Sequence, residues 1–265
     1  MPDDRHIPID KVGVKGLRYP IVVKDRQRGR QHTVGVFDLF VNLPHDFKGT
    51  HMSRFIEVLN EFCGEVSMEK FPEILEKIKS KLNAQSAHMN VEFPYFIEKK
   101  APVTGTPGVM CYTCFMSGSL ARRFDLIVGV EVPVTTVCPC SKEISQYGAH
   151  NQRGTVRVQL RFKRFFWIEE IIEIVESSVS SEIYSLLKRS DEKFITERAY
   201  ENPMFVEDVV RAALSRLRET SNFPWYRIEC ENFESIHNHS AYALIEKDFS
   251  PEPERFQGDS PGRFR

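Results

Sequence analysis

The densest group of chemistry-bearing side chains is the run Val137-Cys138-Pro139-Cys140-Ser141-Lys142, continued by Tyr147-Gly148-Ala149-His150-Asn151-Gln152-Arg153-Gly154. Thiols, an imidazole and cations share residues 138–154, a connector between two strand-like segments far longer than the two to five or so residues a hairpin needs. Loops of this kind inside compact domains often carry function. A thiolate and a neutral imidazole together suit zinc or a similar borderline metal. Along an extended strand a Cys-x-Cys pair projects to opposite sides, so the spacing favours one ligand of the two, Cys138 ahead of Cys140. The competing reading makes both thiols small buried hydrophobes that close a strand, with His150 capping a turn.

A second group, Glu234-Ser235-Ile236-His237-Asn238-His239-Ser240, places two histidines across a turn between strands. Extended i, i+2 spacing sends their rings apart, which again favours a single ligand or a solvated turn. Ser190 to Pro203 reads as a connector joining two helices and contains Glu192, while Glu207 falls in the first turn of the helix that follows. Glu207 and Asp208 suit a helix N-terminus through the macrodipole alone. Gly49-Thr50-His51-Met52-Ser53-Arg54 precedes another helix, with Ser53 read as its N-cap and donors able to hold phosphate at its start. Cys111-Tyr112-Thr113-Cys114 has CxxC spacing, but it lies in a predicted strand without a partner pair or a following helix, and reads as core packing. Cys63 and Cys230 also read as structural.

The elements that must position these groups follow from hydrophobic period. Val12 to Lys24 and Thr33 to Leu43 alternate and flank the charged turn Asp25 to Arg30, which predicts a hairpin. Phe55, Val58, Leu59 and Phe62 recur at helical spacing, as do Phe71, Ile74, Leu75, Ile78 and Leu82. Val91 to Lys99 and Val109 to Leu120 return to strand composition around a Pro/Gly-rich connector. The first half reads ββααββ. The second repeats the order: strands at Phe124 to Val137 and Thr155 to Phe162, a helix over Ile168 to Leu187, a helix with Phe205, Val209, Val210, Ala213, Leu214 and Leu217 on one face, and strands at Trp225 to Phe233 and Ala241 to Ile245. The expected division is a first module over 1–122, a second over 123–249 and a mobile tail over 250–265.

Composition bounds the function. The 265 residues carry 36 Lys and Arg against 37 Asp and Glu, a formal charge of -1, which argues against a nucleic-acid binder. Apolar runs such as Leu126 to Val130 are broken by charge well before the roughly 18 residues of a membrane span. The polar start of the chain shows no secretory signal, and six cysteines are too sparse for a disulfide scaffold, so reduced thiols in a cytoplasm are expected.

The strings Lys48-Gly49-Thr50-His51-Met52-Ser53-Arg54-Phe55, Cys138-Pro139-Cys140-Ser141, Tyr147-Gly148-Ala149-His150-Asn151-Gln152-Arg153 and Thr196-Glu197-Arg198-Ala199-Tyr200-Glu201-Asn202-Pro203 resemble the type IB GTP cyclohydrolase I family, in order, over residues 8–248. The resemblance implies an α+β tunnelling fold of two tandem ββααββ modules that assemble into barrels, as a homotetramer with sites at module interfaces. It implies hydrolysis and rearrangement of GTP to 7,8-dihydroneopterin triphosphate and formate, the first step toward tetrahydrofolate. It further implies a divalent metal, zinc or manganese, held by Cys138, His150, Glu192 and His237. Glu207 would anchor the purine edge, and His51, Arg54, Lys142 and Arg153 are candidates for the triphosphate. Cys138, His150, His237 and Cys140 are the candidate catalytic groups, the last three as proton carriers. Two alternatives stand beside it: a tunnelling-fold reductase of a deazapurine nitrile with Cys138 as nucleophile and NADPH as reductant, and a non-enzymatic purine- or metal-binding scaffold.

Overall fold

A computed structural model describes residues 5–47, 49–62 and 64–248. Cys63 and the tail expected over 250–265 lie outside the described residues. The first half runs β1 (Ile9–Asp25), β2 (Gly29–Leu43), α1 (Ser53–Glu61), α2 (Phe71–Lys81), β3 (Ala87–Lys100) and β4 (Pro107–Leu120). The second runs β5 (Phe124–Val137), α3 (Pro139–Ile144), β6 (Asn151–Arg161), α4 (Ile168–Glu176), α5 (Arg189–Glu201), α6 (Val206–Glu219), β7 (Trp225–Phe233) and β8 (Ser240–Asp248). The eight strands form one sheet in chain order. Every neighbouring pair is antiparallel, including β4 with β5, so the sheet continues across the two halves.

Period-two alternation builds this sheet with one apolar face. Phe37, Leu39 and Val41 of β2, Met89, Val91 and Phe93 of β3, and Val130, Val132 and Val134 of β5 are buried, while Val34 and Val36, on the alternate positions of β2, are exposed. The helices cover the apolar face: α2 lies on β3 and β4, α4 on β5, and α6 on β7 and β8. Each supplies a stripe at helical spacing, Phe71, Ile74, Leu75 and Ile78 from α2 and Val206, Val209, Val210, Ala213 and Leu217 from α6. A buried side chain of this size contributes about 1.5–3 kcal/mol. Gly118 lets α2 seat closely, since a Cβ there would lie 2.6 Å from the Phe71 ring.

Three local expectations are corrected. The helix expected over Ile168 to Leu187 ends at Glu176, because Ser177 and Ser178 turn their hydroxyls back to the Ile174 carbonyl and Ser181 pairs with Thr135 on β5. The connector expected over Ser190 to Pro203 is largely the helix α5. Ser53 is the first helical residue and not the cap; Met52 holds that place, without a side-chain bond. In the second half α3 and α5 are additions to the ββααββ order.

Candidate active site

The β5–β6 connection is closed at its base by backbone. The Cys138 N–H donates to the His150 carbonyl at 3.1 Å, and the His150 N–H donates to Ser141 Oγ at 3.1 Å. Cys138 leaves the strand as the N-cap of α3, Pro139 occupies a position where a missing N–H costs little, and the Ser141 N–H points at Cys138 Sγ at 3.5 Å. Cys138 is half-buried and Cys140 exposed. The two thiols therefore do not flank an extended strand as the spacing suggested; a strand end and a helical turn carry them.

His150 is oriented by a polar network that the sequence reading missed. Its Nδ1 lies 3.1 Å from Gln152 Oε1 and 3.4 Å from Ser235 Oγ, while Gln152 Nε2 and Asn232 Nδ2 each donate to Thr136 Oγ1 at 2.9 Å. Thr136, Gln152 and Asn232 are buried on three adjacent strands. They occupy inward positions that alternation otherwise fills with Val or Ile, and that break in the pattern is the signal that marks them. Gly154 makes room, since a Cβ there would lie 2.3 Å from Asn232 Oδ1.

Other candidates gather at the same end of the sheet. The Met204 N–H donates to the Val137 carbonyl at 3.0 Å, tying the start of α6, and with it exposed Glu207, to the residue before Cys138. Asp208 closes the α6 N-terminus by accepting from the Phe205 N–H. Burial, with the Glu207 charge adding to it, pushes the Cys230 thiol up to about 12 and makes it structural. Lys142 Nζ donates to the Tyr200 carbonyl at 2.5 Å and lies over the Tyr200 ring, binding the loop to α5. The β7–β8 turn carries His237 and His239, whose rings are not sent apart: a bend stacks them at 5.3 Å and 18°. Exposed Arg153 lies on β6 beside Gln152.

Some expected groups stay apart within the chain. Glu192 is exposed in the first turn of α5, eight residues before Tyr200, which is about 12 Å along a helix. Its buried neighbour Asp191 accepts from the N–H groups of Val103, Thr104 and Lys188 and from the Thr104 hydroxyl, at 2.8–2.9 Å. Burial raises the Asp191 carboxyl, and these donors outweigh it and hold it at about 2. His51 and Arg54 sit at the start of α1 in the first half, where the guanidinium caps the Lys81 carbonyl at 3.0 Å. Of the CxxC pair only Cys114 packs in the core; Cys111 is exposed, because the two fall on opposite faces of β4.

Among the described residues, one trio of side chains brings its ligand atoms within 4.8 Å of one another in a group capable of coordinating a divalent ion: His6, His45 and Asp46, all exposed. Cys138, His150, Glu192 and His237 do not form such a group within a single chain. Their chemistry nonetheless fits a divalent ion. The Cys138 sulfur accepts from an amide N–H, and His150 has Nδ1 engaged by Gln152 and Ser235 with Nε2 left to ligate, the usual arrangement around a metal-bound imidazole. No helix among the described residues is long and apolar enough to cross a membrane.

One continuous antiparallel sheet with paired helices on a single face, read as two ββααββ units, defines an α+β protein of the tunnelling fold. A urate oxidase structure from Bacillus sp. TB-90 shares it, with a TM-score of 0.56 over 91% of this chain and 100% of that one at 9% identity. The chain belongs to the Type I GTP cyclohydrolase folE2 family, whose model matches residues 1–243. It is 62% identical to a GTP cyclohydrolase FolE2 of Syntrophus aciditrophicus (strain SB) over 94% of this chain and 98% of that protein. A second GTP cyclohydrolase FolE2, from Geotalea uraniireducens (strain Rf4), is 57% identical over 93% and 91% of the two chains.

Proposed function

We propose that this chain is a GTP cyclohydrolase that converts GTP to 7,8-dihydroneopterin triphosphate and formate, the entry to tetrahydrofolate synthesis, in the cytoplasm. The observation that carries the reading is the joining, at one end of the sheet, of the Cys138 to His150 loop with the β7–β8 turn, the start of α6 and the end of α5. Membership of the family gives the nitrile reductase and the passive scaffold no support.

Cys138, His150, Glu192 and His237 would hold a divalent ion, zinc or manganese. Such an ion supplies acidity to water and polarises a carbonyl or phosphoryl oxygen. Glu207, whose carboxylate is left free by Asp208, offers two acceptor oxygens to the paired N–H donors of a guanine edge. His150, His237 and exposed Cys140 are the groups placed to carry protons in ring opening, deformylation and closure. His51, Arg54, Lys142 and Arg153 provide positive charge for the triphosphate; Lys142 and Arg54 each keep donors beyond the carbonyl they cap.

Two modules, 1–122 and 123–249, form a homotetramer with the sites at module interfaces. Supporting this, Ile144 and Tyr147 on the site loop are 83% and 97% exposed, apolar surface that an assembly would cover, and Cys138, His150, Glu192 and His237 do not gather as one ligand group within a single chain. The test is incubation of metal-loaded protein with GTP, following formate and, after oxidation and dephosphorylation, neopterin fluorescence. Both products rising together is expected. An intact assembly that yields neither with zinc or manganese rejects the reading.

A further inference from the structure

Helix α5 is held in place without an apolar stripe. Asp191 and Ala199 are its buried residues, Ile195 and Arg198 are half-buried, and the rest of its side chains are exposed. An amphipathic helix is seated by burial, so α5 must be seated by something else.

Its anchors are polar, and most lead to the same place. At its N-terminus Asp191 is fully buried and receives the Val103 and Thr104 N–H groups and the Thr104 hydroxyl, all from the turn between β3 and β4. The fourth donor, the Lys188 N–H, closes the helix start on the same carboxylate. Near its C-terminus Arg198 donates to Glu182 at 3.2 Å, and Glu182 pairs at 2.9 Å with Lys99, on β3 just before that turn. The turn is shaped for the contact. Gly105 adopts a left-handed φ of +67°, and a Cβ on Gly108 would lie 2.6 Å from Ser185 Oγ in the segment that leads into α5. The end of the β3–β4 hairpin, in the first half, is therefore the platform on which a helix of the second half rests.

Asp191 is followed by Glu192, whose N–H closes the first turn of α5 on the Lys188 carbonyl at 2.9 Å. The backbone that carries the Glu192 side chain is thus fixed one residue away by a carboxylate with four donors. We propose that Asp191, together with Thr104, is a positioning residue for the metal centre, setting where Glu192 presents its carboxylate. This rests on the reading of Glu192 as a metal ligand. It gives the first half a part in the metal centre itself, through the β3–β4 turn.

The test uses the full-length assembled protein loaded with zinc or cobalt(II). Asp191→Asn, Thr104→Val and the conservative Thr104→Ser are compared with Glu192→Gln for zinc affinity against a chelator, for the visible spectrum of bound cobalt, and for kcat and KM with GTP. Asp191→Asn and Thr104→Val are expected to weaken zinc by about 10- to 100-fold, the range of groups that orient metal ligands, and to change the cobalt spectrum. They should lower kcat more than they raise KM, and Thr104→Ser should restore wild-type values. Wild-type zinc affinity and cobalt spectrum in both Asp191→Asn and Thr104→Val, with Glu192→Gln impaired, would overturn the positioning role alone. No effect of Glu192→Gln on metal would remove the ligand reading beneath it. Should Asp191→Asn fail to fold, the Thr104 pair decides.

Discussion

The β1–β2 and β5–β6 hairpins hold the same place in the two halves of the sheet and end very differently. In the first, residues 26–28 make the whole connection: Gly29 takes a φ of +78°, and the buried Asp25 carboxylate gathers the Gln27 and Arg28 N–H groups at 2.8 and 2.7 Å. In the second, residues 138–150 span the same gap between paired strand ends, and Cys138, Cys140, Lys142 and His150 all lie within them. The short turn closes on Asp25 and meets α4 and β3 through its arginines, Arg26 with Glu169 and Glu173 and Arg28 with Glu98, and it carries no thiol or imidazole. The long one touches α5 through Lys142 and the β7–β8 turn through His150, and the strands beneath it exchange Val for Thr136, Gln152 and Asn232. On the proposed reading, the second hairpin of the pair carries chemistry while the first closes the sheet and ties it to α4.

The largest effect is expected of Cys138→Ala, which removes the thiol at the base of the second hairpin's long connection. Turnover of GTP is expected to fall by more than the ~100-fold that loss of a supporting group causes, with the circular dichroism of the sheet unchanged. Next is the bridge between the halves. Lys99 lies between Glu176 at 2.8 Å and Glu182 at 2.9 Å, all three largely buried, so Lys99→Met should destabilise by about 3–5 kcal/mol at neutral pH in denaturant titration. Burial raises the Glu182 carboxyl and the Lys99 bond and charge outweigh it, leaving it below its ordinary 4.5. A lowered carboxyl contributes stability above its unfolded pKa and loses it as pH falls through the folded one. Without Lys99 burial dominates and both carboxyls rise, Glu176 further than burial already holds it, so the deficit of the variant should shrink as pH falls through the carboxylate range.

Gln152→Leu sharpens the comparison further by giving the second hairpin the apolar interior of the first. Losing the partner of His150 and of Thr136 should reduce metal affinity by about 10- to 100-fold, read by chelator competition, and leave the fold intact. The smallest effect expected is that of Glu207→Gln, which trades an acceptor oxygen for a donor. GTP binding should weaken roughly tenfold, near the lower worth of a hydrogen bond to a charged group, as calorimetry with GTP would register.

What was legible in the sequence follows from which physical signals are local. Strands, α2 and α6 carry strict apolar periods, so Phe71 to Ile78 and Val206 to Leu217 could be read directly. Helix α5 has no such stripe and read as a connector, because its anchors, Asp191 to Thr104 and Arg198 to Glu182, join residues distant in sequence. Helix α4 was overrun because Ile183, Leu186 and Leu187 continue an apolar count past the serines that stop it. At the site the residue types were legible and their relative placement was not. Cys138, His150 and Glu207 are recognisable by chemistry, whereas the stacking of His237 on His239 depends on a bend, and the separation of Glu192 on the length of α5.

On the proposed reading the long β5–β6 connection, through Cys138, carries the reaction on GTP. It is tested most directly by formate release from GTP by metal-loaded wild-type protein and Cys138→Ala in parallel, at equal assembly state. Formate in step with neopterin is expected from the wild type, and none above background from the variant. Formate release by a folded Cys138→Ala at the wild-type rate would contradict it.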